Sequence, residues 1–225
     1  MNDPNDRELT ISCGCALMNF RVVAAHDGLG VTYKIAPDSN DEDLLAVIAF
    51  DIAEVSSPSE AELFQSIEGR RTYRKGFESR EVPKSVLQVL TDAAVKEGTW
   101  FQVLESEEKR QEVAALVSEG DAIQWSNPSW RRELAAWMHP SHRGDGLTVP
   151  GFAAPIAQLI VRTFDMGNGV GAKDKQLADE SPILAVLGSD GDGIADWLET
   201  GQALQRILLN AHSNGLQASY LNQPI

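Results

Sequence analysis

The sequence predicts an α+β fold made of two similar halves, and three observations carry that expectation. Long helical stretches near each end of the chain both stop at a glycine. Short β-type runs follow or separate the helices. The order helix, Gly, Leu, strand occurs at both ends.

The elements follow from the chain in order. From Ser12 to Asp27 the residues Leu17, Phe20 and Ala24 recur at helical spacing, and Gly28 is a natural stop. "VTYKIA" and "LLAVIAF" read as strands split by the turn-rich "PDSNDED". A short helix from Glu60 to Glu68 leads into "RRTYRKGF", residues 70–77. Pro83 suits the first turn of the next helix, whose buried stripe is Val86, Leu90 and Ala93 or Ala94. "TWFQVL" is a strand, and residues 107–139 are mostly helical with a break near Asn127-Pro128. His139 to Gly151 reads as loop and "PILAVLG" as a buried strand. The last helix runs from about Asp192 to Asn214 with Trp197, Leu204, Leu208 and Ala211 inward.

The two glycine-terminated helices are related by a shift of 187 positions. It pairs Gly14 with Gly201, Leu17 with Leu204, Ala24 with Ala211, Gly28 with Gly215, Leu29 with Leu216 and Tyr33 with Tyr220, without a gap. Two unrelated apolar helices could match by chance. The repeated order of four features argues for an internal duplication, so that one chain mimics a symmetric dimer.

The composition is that of a folded globular chain, with 43% hydrophobic residues and 23% charged ones. A formal charge of -14 repels nucleic-acid backbones and anionic lipid, so neither partner is expected. No apolar stretch reads as long enough to span a membrane, and the first residues lack a signal-peptide pattern. Cys13 and Cys15 would point to different faces of a helix and read as small residues of a reducing cytoplasm. His139 and His142 have no evident third metal ligand, and no metal site is expected. "GSDGDGIADWLE" imitates a calcium loop, but its first position is Gly188 and a strand precedes it; its Asp residues are expected to cap the last helix.

Against this acidic background, Arg70, Arg71, Arg74 and Lys75 gather around Thr72. A solvated basic loop is the bland account of such a run. The alternative is an anion site, because the planar arginine fork donates two hydrogen bonds at once to a phosphate.

The segment resembles the "RRS-x-R-x-F" signature of the FMN-dependent nitroreductases. "GQALQRILLNAHSNGLQASYL" resembles their long central helix with its Gly-Leu turn and strand. "DPNDRELTISCGCALMNFRV", "WRRELAAWMHP", "RGDGLTVPG" and "DWLETGQALQRILLNA" resemble the duplicated branch of that superfamily named after the mycobacterial Acg protein. The resemblance implies an FMN cleft between two α+β halves built of mixed sheets packed with helices. Residues 1–58 would close the first half, and 59–225 would form the second with a helical, lid-like insertion at about 105–180.

By the same resemblance, Arg70 and Thr72 hold the phosphate, Arg71 assists, and Arg74 sits near the flavin N1 and O2 edge. Ser219, Leu221 and Asn222 approach the ring, although the same three could belong to an ordinary half-buried strand. The segment from Trp130 to the "HPSHRGDG" loop would cover the pocket, while core packing is the plainer role for Trp130 and Trp137. A Ser-Gly-His-Asn-Thr-Gln-Pro-Trp-like stretch before "DPNDRELT" and a basic segment after "QP" belong to the family pattern and do not occur here. The expectation is a fragment that binds FMN weakly by itself and self-associates through exposed sheet edges.

The implied activity is hydride transfer from NAD(P)H through FMN to a nitro- or quinone-type acceptor, with no side chain as catalytic acid, base or nucleophile. The alternatives are a flavin-sequestering protein without turnover and a remnant with impaired flavin binding. A dinucleotide site of the Rossmann kind is unsupported, since no G-x-G-x-x-G follows a strand.

Overall fold

The computed structural model describes residues 3–36, 38, 40, 41, 43–51, 57–140 and 147–224. Helix α1, Arg7–His26, begins earlier than its apolar pattern indicates. The Asp3 carboxylate accepts hydrogen bonds from the Arg7 and Leu9 amides, both at 2.9 Å, and so supplies the acceptors that a helix start lacks. At the other end Gly28 takes φ 79°, and the Leu29 amide donates back to the Ala24 carbonyl at 2.8 Å. Strands β1, Gly30–Ile35, and β2, Ala46–Asp51, then form an antiparallel pair with Tyr33 opposite Ile48.

Two short helices, α2 (Pro58–Ala61) and α3 (Phe64–Gly69), replace the single one expected over Glu60–Glu68. Helix α4, Lys84–Val95, buries Leu90, Ala93 and Ala94, with Pro83 just before its first turn and Val86 only half-buried. Strand β3, Trp100–Val103, pairs antiparallel with β6, Ala185–Gly188. The β6 strand is half-buried rather than buried, because a two-stranded sheet has only one neighbour to cover it.

Between β3 and β6 lies a helical region: α5 (Glu107–Ser126), α6 (Pro128–Ala136), α7 (Ala154–Thr163) and α8 (Gly167–Glu180). The break falls at Asn127, whose side chain accepts from the Ser129 amide at 2.9 Å, with Pro128 opening α6. Two short parallel strands, β4 (Met138–Pro140) and β5 (Leu147–Val149), occur where loop was expected. Trp125, Ala135 and Val161 make the core of this region, and Trp130 packs edge-on to Trp125 at 5.2 Å.

Helix α9, Ile194–Ser213, is the axis of the molecule. Leu198, Gln202, Gln205, Arg206, Ile207, Leu208, Leu209 and Ala211 are all buried along it, because α1, α3 and α4 pack around it. Trp197 and Leu204, expected inward, are only half-buried, and Phe20 of α1 is exposed. The stripe expected from apolar residues alone is too narrow, because polar side chains with partners share the inner face.

Helices α1 and α9 touch backbone to backbone at two glycines. A Cβ on Gly14 would lie 2.3 Å from the Leu198 carbonyl oxygen, and one on Gly201 would lie 2.0 Å from that of Ile11. Each glycine would also meet the other's Cα, at 2.9 and 2.8 Å. These contacts are reciprocal at the spacing of 187 residues, since Ile11 and Leu198 differ by the same number as Gly14 and Gly201. The helix ends repeat it too: Gly215 takes φ 75°, and the Leu216 amide donates to the Ala211 carbonyl at 2.9 Å. The parallel stops at the strand. Residues 217–222, expected as a strand, make a single bridge, at Ala218, and no ladder.

A closed ring of buried charge sits beside this crossing. Arg21 of α1 and Arg206 of α9 each bind both Glu60 and Glu97, at 2.5–2.6 Å. Arg21 also donates to the Gln202 side chain at 2.8 Å and lies 5.4 Å over the Tyr33 ring. Burial works against the charged form of Glu60, but Arg21 and Arg206 outweigh it and hold the carboxyl below its ordinary range. Contrary to the expectation from sequence, α1 is long and apolar enough to cross a membrane by length and composition, with mean hydropathy 1.2. Here it packs on α9 and carries Arg21 into the ring, as a core helix does.

Substituting Gly201→Ala forces the two backbones apart, and overpacking of this kind costs about 1–3 kcal/mol or more. Urea unfolding is expected to show that loss, whereas Gly76→Ala, with open space around its Cβ, stays within about 0.5 kcal/mol of the parent.

Candidate functional site

The arginine segment is placed by two helix ends. Helix α3 stops at Gly69, and Arg70 turns extended with φ -71° and ψ 126°. The chain then runs beside the segment that leaves α9 through Gly215. Thr72 bridges Ala218 in parallel, and the Tyr73 amide donates to the Ala218 carbonyl at 2.8 Å. The Tyr73 and Phe77 rings approach to 5.3 Å, and the Tyr73 hydroxyl donates to the Gly76 carbonyl at 3.4 Å. Phe77 therefore closes the loop by packing on Tyr73.

Arg71, Thr72, Tyr73, Arg74, Lys75 and Gln217 line an open concavity of about 570 Å³. Arg71, Arg74 and Lys75 are exposed, and none forms an ion pair among the described residues. Three unpaired cations in five residues repel one another, and a single anion in the concavity would relieve them together. With the Thr72 hydroxyl beside them they fit a phosphate dianion well. Tyr73 is the one aromatic residue in the lining, so the concavity fits a phosphate end better than a broad flat ring.

Of the residues expected here, Arg71, Thr72 and Arg74 come together and the other four do not line the concavity. Arg70 turns inward toward Tyr220 and Cys15, and its buried Nε has no partner. Burial raises the Tyr220 hydroxyl, while the charge and hydrogen bond of Arg70 pull it down. Burial likewise pushes the Cys15 thiol up to about 11, against the pull of Arg70; Cys15 donates to the Gly201 carbonyl at 3.1 Å. Ser219 and Leu221 are half-buried, and the Asn222 amide donates to the Glu8 carboxylate of α1 at 2.8 Å. Tyr73, Lys75 and Gln217 join the lining instead; Gln217 is brought there by its neighbour Ala218, which bridges Thr72.

Trp137 is exposed, His139 is half-buried, and His142 lies outside the described residues. Neither Trp130, nor Trp137, nor any part of α7 or α8 lines the concavity. Among the described residues no group of three His, Cys, Asp or Glu is placed to hold a metal ion. At the start of α9 the Asp196 carboxylate accepts from the Gly193 amide at 2.9 Å, and Asp192 accepts from the Trp197 indole at 2.7 Å.

The far end of the 216–224 segment is fastened to the helical region. The Gln223 amide donates to the Asp174 carboxylate at 2.6 Å, and its backbone presses on α5 where a Cβ at Gly120 would lie 2.7 Å away. Next to it Asp121 is buried with Oδ2 unpartnered. Burial and then the nearby Asp174 charge push Asp121 up to about 6, and burial raises Asp174 as well.

No protein-family profile matches the chain. Several proteins of Mycobacterium tuberculosis are similar to it. One, an uncharacterized protein, is 28% identical over 231 residues, covering 99% of this chain and 65% of its own length. One named "Putative NAD(P)H nitroreductase" is 26% identical over 228 residues, covering 99% of this chain and 64% of its own. The "Putative NAD(P)H nitroreductase acg" is 24% identical over 217 residues, 95% of this chain and 65% of its own. The chain thus spans about 65% of the length of these three relatives.

Asp121 gives the fastening a pH signature. Its folded value is raised above the unfolded one, so its favourable contribution is complete below about pH 4 and is lost as pH rises through about 6. Asp121→Asn is expected to remove up to about 2 kcal/mol of that loss, measured as unfolding free energy at pH 5 and pH 8.

Proposed function

We propose that the chain is a nitroreductase-like, FMN-dependent oxidoreductase and that its basic concavity takes the flavin's phosphate. The observation that carries this reading is the set of three cations without ion-pair partners among the described residues. They surround Thr72 in a chain of charge -14. The names of two of the relatives support the reaction class.

Arg71, Arg74 and Lys75 would neutralise the phosphate, and the Thr72 hydroxyl would donate to one of its oxygens. Arg70 acts behind them: it positions Tyr220 and carries positive charge beneath the segment toward which the ring would extend. FMN, when bound, supplies the redox chemistry between NAD(P)H and a nitro- or quinone-type acceptor. The protein's part is placement and charge.

We also read the chain as parts of a duplication, residues 1–58 being the end of the first half and 59–225 the second, with residues at about 105–180 inserted into it. The reciprocal contacts of α1 and α9 at a constant spacing support that division.

Flavin fluorescence quenching tests the site. FMN is expected to bind at least about tenfold more tightly than riboflavin, the phosphate being their one difference, as a charge-assisted hydrogen bond is worth about 1.5–3 kcal/mol. Arg74→Ala should narrow that preference and leave riboflavin unchanged. Equal affinities for the two flavins would remove the phosphate site. Anaerobic NADPH bleaching of bound flavin separates turnover from storage.

A further inference from the structure

Helix α7 is apolar on both sides, and only one side is covered. Ala154 and Val161 are buried against α6 and β4, and the Gln158 amide donates to the Met138 carbonyl at 2.8 Å. On the outer side Ile156 is 62% exposed, Leu159 64% and Ile160 41%, flanked by Phe152 at 89% and Phe164 at 59%. A helix that is apolar all round belongs in an interior. From Leu147 to Phe164 the sequence has no carboxylate and one charge, Arg162, although the chain as a whole is strongly acidic.

We propose that this face is the interface of a symmetric homodimer in which α7 packs antiparallel on α7 of a second copy. Three features select a second copy as the occupant. First, the outward residues form a palindrome: Phe152, Ile156, Ile160 and Phe164 are evenly spaced about position 158. A two-fold rotation therefore sets Phe152 against Phe164 and Ile156 against Ile160, the self-complementarity an isologous interface needs. Second, Ile156 and Ile160, four apart within α7, lie on the ridge that most often packs between crossing helices, with the two phenylalanines just beyond the helix ends.

Third, the area fits. The five side chains expose on the order of 600 Å², given 150–250 Å² for a large side chain. That is at the top of the range for a patch on a monomer and near the lower bound for one side of a stable interface. The absence of carboxylates also matters for two copies that each carry charge -14, since any acid on this face would be brought against its own kind.

Sedimentation of the full chain at micromolar concentrations tests the proposal, with circular dichroism to check folding. The parent is expected to be a dimer and Leu159→Glu a monomer with an unchanged spectrum, because the substitution sits on an exposed position. The double variant Ile156→Cys and Ile160→Cys, whose positions the two-fold sets facing each other, should give a covalent dimer on oxidation, while the parent, with Cys13 and Cys15 alone, should not. A parent that sediments as a monomer throughout, or a dimer that survives Leu159→Glu, overturns the proposal.

Discussion

The contact on which the structure depends is the crossing of α1 and α9 at Gly14 and Gly201. Two helix backbones this close leave no room for a methyl group on either side. In return, α9 can be surrounded on nearly every face, and dispersion contacts accumulate along its length. Met18, Val22, Leu63 and Leu209 form one cluster beside the crossing, and Leu90, Ala93, Ala94, Ile207 and Ala211 form another. The ends of these helices, fixed by glycines in the left-handed region, then direct the following segments back across the molecule.

The charge ring makes that crossing specific. Arg21 and Arg206 come from the two crossing helices, and each carboxylate binds both of them. Two cations and two anions cancel, and each buried carboxylate has two guanidinium partners. Such a ring adds little net stability over a well-packed apolar core, but removing one member strands the others at a cost of about 3–5 kcal/mol. It therefore favours one register of α1 against α9 over sliding alternatives. That register also sets the distance between α3, which delivers the arginine segment, and the end of α9, which delivers Gln217 and Ala218.

Much of the fold was legible because it is local. Glycine stops, the break at Asn127-Pro128 and the runs that became β1, β2 and β3 follow from propensity and periodicity. The ring was not legible, since Arg21, Glu60, Glu97 and Arg206 read singly as surface charges and their pairing is set only by packing. The same limit applies to Arg70. Its type and spacing match Arg71 and Arg74, yet it lies next to the helix end and turns inward, while Thr72 pairs with Ala218 and leaves its neighbours at the rim. The single bridge in place of a strand at 217–222 reflects the lack of a partner strand among the described residues; Asn222 and Gln223 fasten the segment through side chains instead.

Packed in this way, α1 and α9 form one cooperative unit, with the arginine segment held against it and the helical region from α5 to α8 attached more loosely. Native-state hydrogen exchange read amide by amide tests this most directly. The amides of Met18, Val22, Leu208 and Leu209 should exchange together and only through global unfolding, with those of the α5–α8 region opening at lower free energy. Exchange in which α1 opens separately from α9, or in which α5 and α8 outlast both, would contradict it.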